Sequence, residues 1–528
     1  MYWRRSTGRS NVLAKRGMIA TSQPLAAQAG LFILHSGGNA IDAAIATAAV
    51  LDVVEPFSTG CGGDAFALIH LPGKSRPISF NGSGRSGSLV TLEGIKKKGW
   101  KSMPTRGGPT VTVPGAMHLW WYLVDNYGSM DLKDVLAPAI HYARNGFPVS
   151  HIISEQWKIV APALRNAEAK RLFTINGKPP VFGQTMENPD LADTFESVCT
   201  DGIDQYYKGH IAKKIVETVQ EDGGFLTVED LALHQTVETK PISTNYQGFD
   251  VFEHPPNGQG FAALSMLNIM QEFDFQSFPP LSKERYHIMI EAKKLAYADL
   301  YAHNSDPTQN DIPINRILSK EYSRERAAKI EFSSVIEDVS PGIKLGDDTV
   351  YLVTADNEGR AVSFINSLYM GFGSGLVVPE TGIKLQNRGH LFSLDPNHPN
   401  CLAPRKLPFH TIIPGAVYHD NGLFGVFGIM GGAHQAQAHG QVVSNLIDYS
   451  MTPQQALDFP RFHHDQKTNT VSLENGIPAD IQGSLRKIGH KLTHETMSNF
   501  GGGQAILRKE GFWIAGSDYR KDGLAIGY

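Results

Sequence analysis

The pattern of apolar and polar positions changes character about two thirds of the way along the chain. Before that point, apolar residues recur at helical spacing between clear start and stop signals. Asn39 is placed to cap a helix that runs to about Val54 and is halted by Pro56, and Pro24 opens another helix that ends before Gly37-Gly38. Helices are also predicted over residues 129–145, 191–199 and 283–303.

Short runs rich in β-branched residues dominate the pattern after Thr349 and predict strands. They cover residues 350–355, 360–366, 411–418, 423–428, 470–473 and 505–508, with earlier strands predicted over 65–71 and 78–80. One long helix, from about Ala433 to Tyr449, interrupts the later strands. The polar, aperiodic stretch 333–346 predicts a connector between the two parts.

Charge and composition exclude several classes of protein. The 528 residues carry 48 Lys and Arg against 52 Asp and Glu, a net charge of −4, so nucleic-acid binding is not expected. The most apolar stretch, Ala43–Leu51, lies between two aspartates and is too short to span a membrane. Three cysteines in a chain of this length indicate a reducing compartment, and we expect a cytoplasmic location. An Arg-rich, acid-poor leader leaves a transit peptide as an open alternative.

Two motifs match the residue pattern of a cofactor or metal site, but their surroundings in the sequence do not support such a site. Residues 82–87 spell a dinucleotide fingerprint, but no acidic residue occurs over 102–114, where a Rossmann unit needs one. His463-His464-Asp465 offers metal-ligand atoms without a spaced partner ligand. We therefore predict no cofactor and no metal site.

The most informative segment is the acidic approach Gly346-Asp347-Asp348 to Thr349 at the start of a strand. Its ordinary interpretation is an Asx-type turn that opens a hairpin. Its chemical interpretation is a cleavage junction. A cut between Asp348 and Thr349 would give Thr349 a free α-amino group with a pKa of about 7.7–8.0, which suits a general base for its own hydroxyl.

A second signal is the pair Gly431-Gly432, which follows a strand and precedes the predicted long helix. Backbone N–H groups at a helix N-terminus can face an anion, as an oxyanion hole requires. A glycine turn used only for close packing remains the alternative.

Taken together, the sequence resembles the γ-glutamyltransferase family of self-cleaving N-terminal-nucleophile hydrolases, from about Gly17 to Tyr528. The markers occur in the family's order and are independent of one another. They are residues 37–44, 58–63, Val113-Pro114-Gly115, 372–375, Gly431-Gly432, 460–464 and the chain end 525–528.

The resemblance implies an αββα sandwich built by two chains from one precursor. Residues 1–348 would form a helix-rich large subunit, and residues 349–528 a strand-rich small subunit that carries the nucleophile Thr349. Ser367 matches a hydroxyl that supports the nucleophile, and Gly431 and Gly432 match the oxyanion hole. The partner of each subunit would be the other cleaved chain, with a dimer of such heterodimers left open.

Departures from the family pattern fall on substrate recognition. Tyr369 replaces an Asn, Arg388 a Gln, and Leu391 the Asp that holds the glutamyl α-amino group. His410 and Thr411 replace the two serines that contact the α-carboxylate. Hydrogen bonds to charged groups contribute about 1.5–3 kcal/mol each, so losing three would remove roughly 5–9 kcal/mol of γ-glutamyl recognition.

The replacements predict a different substrate, a small amide with a carboxylate. Arg388 and Arg85 can each bind a carboxylate through bidentate hydrogen bonds, whereas Leu391 cannot hold an ammonium group. This pattern is similar to the oxamate amidohydrolase and cephalosporin acylase branch of the family. The segment 395–407, where many transferases of the family carry a lid, is short, which favours hydrolysis over acyl transfer because water can reach the acyl-enzyme. A γ-glutamyltransferase or glutathione hydrolase, an unprocessed binding protein, and an ordinary ion pair at Arg388 remain as alternatives.

Overall fold

The computed structural model of the chain describes residues 8–337, 348–493 and 500–528, and of Asp348 and Thr349 it describes only the backbone. Most of the predicted connector 333–346 therefore lies outside the described residues. The strands are β1 (Val12–Ala14), β2 (Met18–Thr21), β3 (Asp64–His70), β4 (Ile78–Gly82), β5 (Phe147–Pro148), β6 (Thr185–Met186), β7 (Val237–Thr239), β8 (Ile242–Tyr246), β9 (Phe249–Glu253), β10 (Asp348–Ala355), β11 (Ala361–Tyr369), β12 (Gly415–His419), β13 (Gly422–Met430), β14 (Phe462–Asp465), β15 (Thr470–Leu473), β16 (Lys491–Thr493), β17 (Gly502–Lys509), β18 (Phe512–Ser517) and β19 (Leu524–Gly527).

The α-helices alternate with these strands, and most of them precede residue 330. They are α1 (Pro24–His35), α2 (Ala40–Val54), α3 (Leu92–Lys97), α4 (Ala116–Tyr127), α5 (Leu132–Asn145), α6 (His151–Val160), α7 (Ala167–Phe173), α8 (Pro189–Asp201), α9 (Asp204–Tyr207), α10 (His210–Glu221), α11 (Val228–Ala232), α12 (Gly260–Met270), α13 (Lys283–His303), α14 (Ile314–Ile317), α15 (Lys320–Ala327), α16 (His434–Ile447), α17 (Pro453–Asp458) and α18 (Ala479–Lys487).

Two seven-stranded antiparallel sheets form the centre of the fold. One has the order β1-β18-β17-β13-β12-β9-β8, and the other β19-β2-β10-β11-β3-β4-β7. A shared core that includes Phe66, Tyr351, Ile365, Val426 and Ile506 packs between them. Each sheet therefore buries one face against the other sheet.

Helices cover the outer face of each sheet. One core cluster packs α1, α2, α4, α5 and α8 on the sheet that contains β10 and β11, and a second packs α12, α13, α16 and α17 on the other. The layers are helix, sheet, sheet and helix, which confirms the predicted αββα sandwich. None of the described helices combines the length and apolar composition that a membrane crossing needs.

Local sequence signals account for the helices that were predicted. The Asn39 side chain accepts hydrogen bonds from the Ile41 and Asp42 amides, while Asp42 accepts one from the Asn39 amide, which is a complete capping box for α2. Helix α13 covers the predicted residues 283–303 in full. Strands β1 and β2 were not predicted, because three or four residues carry too little periodicity to be recognised.

The strand ends bring the candidate residues to one edge of the inter-sheet space. In register, Asp64 at the start of β3 pairs with Ser367 near the end of β11, and Asp348 at the start of β10 pairs with Tyr369. Gly431 and Gly432 follow directly after β13 in the facing sheet. The pairing of antiparallel strands and the packing of the two sheets therefore bring together residues as far apart in sequence as Asp64 and Gly431.

A buried ion pair holds the loop between α2 and β3 beside this edge. Lys384 pairs with the carboxylate of Asp52 and also donates to the Asp52 carbonyl at 2.7 Å, and both side chains are almost fully buried. The other carboxylate oxygen of Asp52 accepts from the Cys61 amide at 2.7 Å. The Leu368 amide then donates to the carbonyl of Ser58, which joins this loop to β11.

We expect Lys384→Met to destabilise the protein by about 3–5 kcal/mol, because it leaves the Asp52 carboxylate buried without its cation. Thermal unfolding monitored by circular dichroism measures the loss. Lys97→Met is the matched control, since its pair with Glu93 is more than 70% exposed on both sides and contributes at most about 1 kcal/mol. Equal, small losses in both variants would contradict this role of the buried pair.

Candidate active site

Arg388 lies at the centre of the converging strand ends. Its guanidinium donates to the Thr411 hydroxyl at 2.8 Å and to the Ser367 hydroxyl at 3.1 Å. The guanidinium carbon also lies 4.5 Å from the centroid of the Tyr369 ring, a cation–π distance. These contacts fix the plane and position of the guanidinium.

The Arg388 charge is fully buried, and no carboxylate of the described residues pairs with it within 4.0 Å. Its Nε atom is sealed from solvent and has no hydrogen-bond partner among the residues that the structure describes. Burial lowers the pKa of Arg388 to about 10, while the nearby Asp64 charge opposes that shift. A buried cation with an unused donor is costly, so the site favours an anion that completes its shell.

Asp64 and His410 form the second polar pair of the site. His410 Nε2 lies 3.0 Å from one carboxylate oxygen of Asp64, and the Gly84 amide donates to the other at 3.1 Å. Burial raises the pKa of Asp64 to about 7, against the opposing pull of Arg388. Burial, with the Arg388 charge, also holds the pKa of His410 well below its usual range, so the imidazole is neutral at neutral pH.

Ser367 and Tyr369 occupy the end of β11 in a constrained conformation. The Ser367 hydroxyl accepts from the Tyr369 amide at 2.9 Å as well as from Arg388. Tyr369 has a φ of 80°, which is uncommon for a residue other than glycine. Strained backbone of this kind is maintained where the surroundings fix it, often at functional sites.

The Gly431-Gly432 turn enters the site from the facing sheet. Both residues have positive φ, 126° and 49°, so glycine is required for this path. Their carbonyl oxygens accept from the amides of His434 and Gln435 in the first turn of α16. Gln259 Nε2 also donates to the Gly432 carbonyl at 2.8 Å and to the Thr411 carbonyl, which ties the turn to the Arg388 side.

Not every predicted residue joins this group. The side chains of Asp348 and Thr349 lie outside the described part of the structure, and only their place at the start of β10 is given. Arg85 points elsewhere: its guanidinium donates to Asp306 at 2.7 Å and to the Arg405 carbonyl at 3.0 Å. Leu391 is buried in an apolar cluster with Tyr369 and Phe409, and its own side chain cannot hold an ammonium group.

Among the described residues, His287, Glu291 and His490 could hold a metal ion, with ligand atoms within 4.8 Å of one another. Their polar atoms already have internal contacts. His287 Nδ1 lies 2.8 Å from His490 Nε2, and Lys294 Nζ lies 2.7 Å from Glu291. A neighbouring ammonium disfavours a cation there. The cluster instead binds the Ile336 backbone through Glu291 and Lys294.

Asp64 and Gln259 are the polar members of the site that sequence reasoning missed. Asp64 directly follows the Gly62-Gly63 marker, so that motif was the available signal. Gln259 lies in no recognised motif and reaches the site only because α12 packs against α16. No local pattern in the sequence indicates its role.

The chain is similar to known proteins over nearly its whole length. The gamma-glutamyltranspeptidase family model matches residues 26–528. The chain is 38% identical to the glutathione hydrolase-like YwrD proenzyme of Bacillus subtilis (strain 168), across 98% of this chain and 99% of the relative. It is 33% identical to the oxamate amidohydrolase proenzyme of Klebsiella pneumoniae, across 98% and 100%.

A solved structure gives the same result at the level of the fold. Cephalosporin acylase from Bacillus halodurans superposes with a TM-score of 0.93 at 42% sequence identity, and the match covers 100% of this chain and 98% of that one. The N-terminal-nucleophile hydrolase fold predicted for the chain is therefore confirmed.

We expect Asp64→Asn to become more stable relative to the wild type as the pH rises from 5 to 8. The unfolded Asp64 carboxyl ionises near its ordinary pKa of 3.8, but the folded carboxyl keeps its proton to about pH 7. The wild type therefore loses stability over that interval, by on the order of 2–4 kcal/mol, and the neutral variant does not. Melting temperatures measured at several pH values give the comparison.

Asp306→Asn is the control, because hydrogen bonds to Leu407 and Thr308 and the Arg85 charge hold the pKa of Asp306 below its usual range despite burial. Its effect should stay constant between pH 5 and 8, since that carboxyl is ionised throughout. A constant difference for Asp64→Asn would show that the Asp64 carboxyl does not titrate in this range.

Proposed function

Because the chain belongs to the gamma-glutamyltranspeptidase family, we propose that it is a self-processing amide hydrolase that forms an acyl-enzyme on Thr349. Cleavage between Asp348 and Thr349 would divide the precursor into a large subunit of residues 1–348 and a small subunit of residues 349–528. Relatives described as proenzymes support this maturation. The two subunits would remain together as a heterodimer through the paired strands of one sandwich.

The proposed chemistry needs only groups that the chain supplies. The new α-amino group of Thr349 takes the hydroxyl proton as Oγ attacks the amide carbonyl, and it then protonates the departing amine. The α-amino group of Thr349 then takes a proton from water, which attacks the ester and releases the carboxylic acid and the Thr349 hydroxyl. The backbone amides of the Gly431-Gly432 turn would stabilise the oxyanion in both steps.

Ser367 would support the nucleophile. A hydroxyl has two acceptor positions and one hydrogen. The acceptor positions of Ser367 take hydrogen bonds from Arg388 and the Tyr369 amide. The Ser367 hydroxyl would in turn donate its hydrogen to the Thr349 oxygen and stabilise the developing alkoxide.

The buried, incompletely paired guanidinium of Arg388 carries the substrate proposal. It would bind the carboxylate of the acyl group. Thr411 and Tyr369 would fix the orientation of the guanidinium, and the His410–Asp64 pair would form the neighbouring wall of the site. Arg388 contacts Ser367 directly, at 3.1 Å. A carboxylate held there lies close to the reacting carbonyl, which favours a short acyl group such as that of oxamate over the longer glutaryl or γ-glutamyl group.

A glutaryl acylase is the second candidate, favoured by the structural match to a cephalosporin acylase. Arg85 would be a secondary carboxylate contact in that case, weakened because its charge is already paired with Asp306. Hydrolysis of oxamate, a glutaryl amide and γ-glutamyl anilide by one preparation separates these candidates. Turnover of γ-glutamyl anilide alone would favour a glutathione hydrolase, and turnover of none would favour a non-catalytic binding protein.

We further propose that the protein is cytoplasmic and that two heterodimers associate as a dimer.

We expect Thr349→Ala to block both maturation and turnover, because one hydroxyl serves in both reactions. Denaturing electrophoresis of the wild type should show fragments of about 38 and about 20 kDa, from dividing 57.7 kDa in the ratio of 348 to 180 residues. The variant should remain a single band. Thr349→Ser, which keeps a hydroxyl, is the matched control and should mature. Normal fragments in Thr349→Ala would assign the nucleophile to another residue.

We expect Arg388→Gln to raise KM for oxamate by roughly 10- to 150-fold, the loss of a charge-assisted hydrogen bond to the carboxylate. KM for a neutral amide of similar size should change much less. Steady-state kinetics on the matured variant measures both. Arg285→Gln, at another fully buried arginine, controls for general destabilisation. Equal changes for the charged and neutral amides would refute the carboxylate contact.

A further inference from the structure

A partly open pocket with a volume of about 250 Å³ lies at the sheet edge next to the candidate site. It borders β4 and β7, and Ser83 and Arg85 line it on the side toward the strand ends. Most of the exposed wall area is apolar, and the apolar residues are Val113, Leu233, Val237, Pro256, Pro307 and Leu407. The polar lining residues are Asn81, Ser86, Asp230, His234, Gln235, Thr239, Thr308 and Arg405. A pocket of this kind at a sheet edge is a typical small-molecule site.

Two neighbouring apolar side chains of the pocket wall are largely exposed to solvent. Leu233 is 58% exposed and Val237 is 54% exposed, and both belong to the pocket wall. Covering such side chains with an apolar group is favourable by about 25 cal/mol for each Å² removed from water. The exposed pair therefore marks the entrance as a surface that gains from an apolar ligand.

The charged residues at the rim do not make the pocket an anion site. Arg85 pairs with Asp306 at 2.7 Å, and Arg405 pairs with Asp230 at 3.1 Å and with Glu229 at 2.9 Å. The two cations are thus matched by three carboxylates. The apolar walls, rather than the rim charges, determine what the pocket can bind.

Hydrogen bonds link the wall of the pocket to polar residues of the candidate active site. The Ser83 hydroxyl accepts from Asn257 Nδ2 at 3.2 Å, and the Asn257 carbonyl accepts from the His410 amide at 2.8 Å. The Gly84 amide, next in the chain, donates to Asp64. A ligand in the pocket therefore lies against the residues that position His410 and Asp64.

We propose that this pocket binds an apolar ring carried by the enzyme's substrate, so that the preferred substrate is larger than the small amide recognised at Arg388. The inference rests on the function proposed above and adds a specificity site to it. A cavity of about 150 Å³ can hold benzene, so the volume here is sufficient for one ring with its linking atoms. The ring could belong to the amine that leaves or to the acyl group.

Direct binding tests the pocket without any turnover. We expect para-fluorobenzyl alcohol to bind the mature protein in a fluorine NMR titration. Leu233→Trp should raise the dissociation constant of the alcohol by about tenfold or more, because the larger side chain fills the entrance of the pocket. Ile159→Trp is the matched control, because Ile159 is a 70% exposed aliphatic residue that does not line the pocket. Equal binding to all three proteins, or binding to none, would overturn the proposal.

Kinetics then identify which part of the substrate carries the ring. For an amine-side ring, Leu233→Trp should lower the ratio of kcat/KM for N-benzyl oxamate to that for N-methyl oxamate by about tenfold. For an acyl-side ring, the ratio for phenylmalonamate over malonamate should fall instead. If binding is lost and neither ratio changes, the pocket is not a substrate site. If no amide is hydrolysed while the alcohol still binds, the catalytic proposal fails and the apolar site stands.

Discussion

The burial of the Arg388 guanidinium is the constraint around which the candidate site is organised. A cation without a paired carboxylate cannot be sealed in the interior unless each neighbour contributes a dipole or a charge. Thr411, Ser367 and the Tyr369 ring contribute at short distance, and Asp64 contributes its field. Those neighbours come from three separate segments on both sheets, so the two sheets must close correctly before the buried charge is stable.

Much of the fold could be predicted because its signals are local. The cap at Asn39 and the long apolar pattern of α13 depend only on nearby residues, and the structure confirms both elements. The strand predicted over 411–418 begins only at Gly415. The residues before it belong to the site: the Thr411 side chain accepts from Arg388, and the His410 ring contacts Asp64. Tertiary contacts there override the β-branched pattern, as functional sites often do.

The site was less predictable than the fold because its contacts are long-range. Arg388, His410 and Thr411 were identified as substitutions in a family pattern, and the structure brings them together. Whether Arg388 has a carboxylate partner could not be read from sequence, since that depends on where β3 and β11 end relative to it. The same limit applies to Arg85. Its ability to bind a carboxylate suggested a substrate contact, but its guanidinium pairs with Asp306, 221 residues away.

On the proposed mechanism, the precursor and the substrate share one chemical feature. The junction residue Asp348 lies on the acyl side of the amide bond to be cut. Two carbons, Cα and Cβ, separate its side-chain carboxylate from the carbonyl carbon, and its α-nitrogen is an uncharged peptide amide. That is the class of group for which the surroundings of Arg388 and Leu391 are suited: an anion is favoured, and the Leu391 side chain cannot hold an ammonium group. A γ-glutamyl substrate would bring the opposite feature, a cationic α-amine, to a leucine. On that mechanism, the same electrostatics would support self-cleavage at Asp348 and disfavour glutathione.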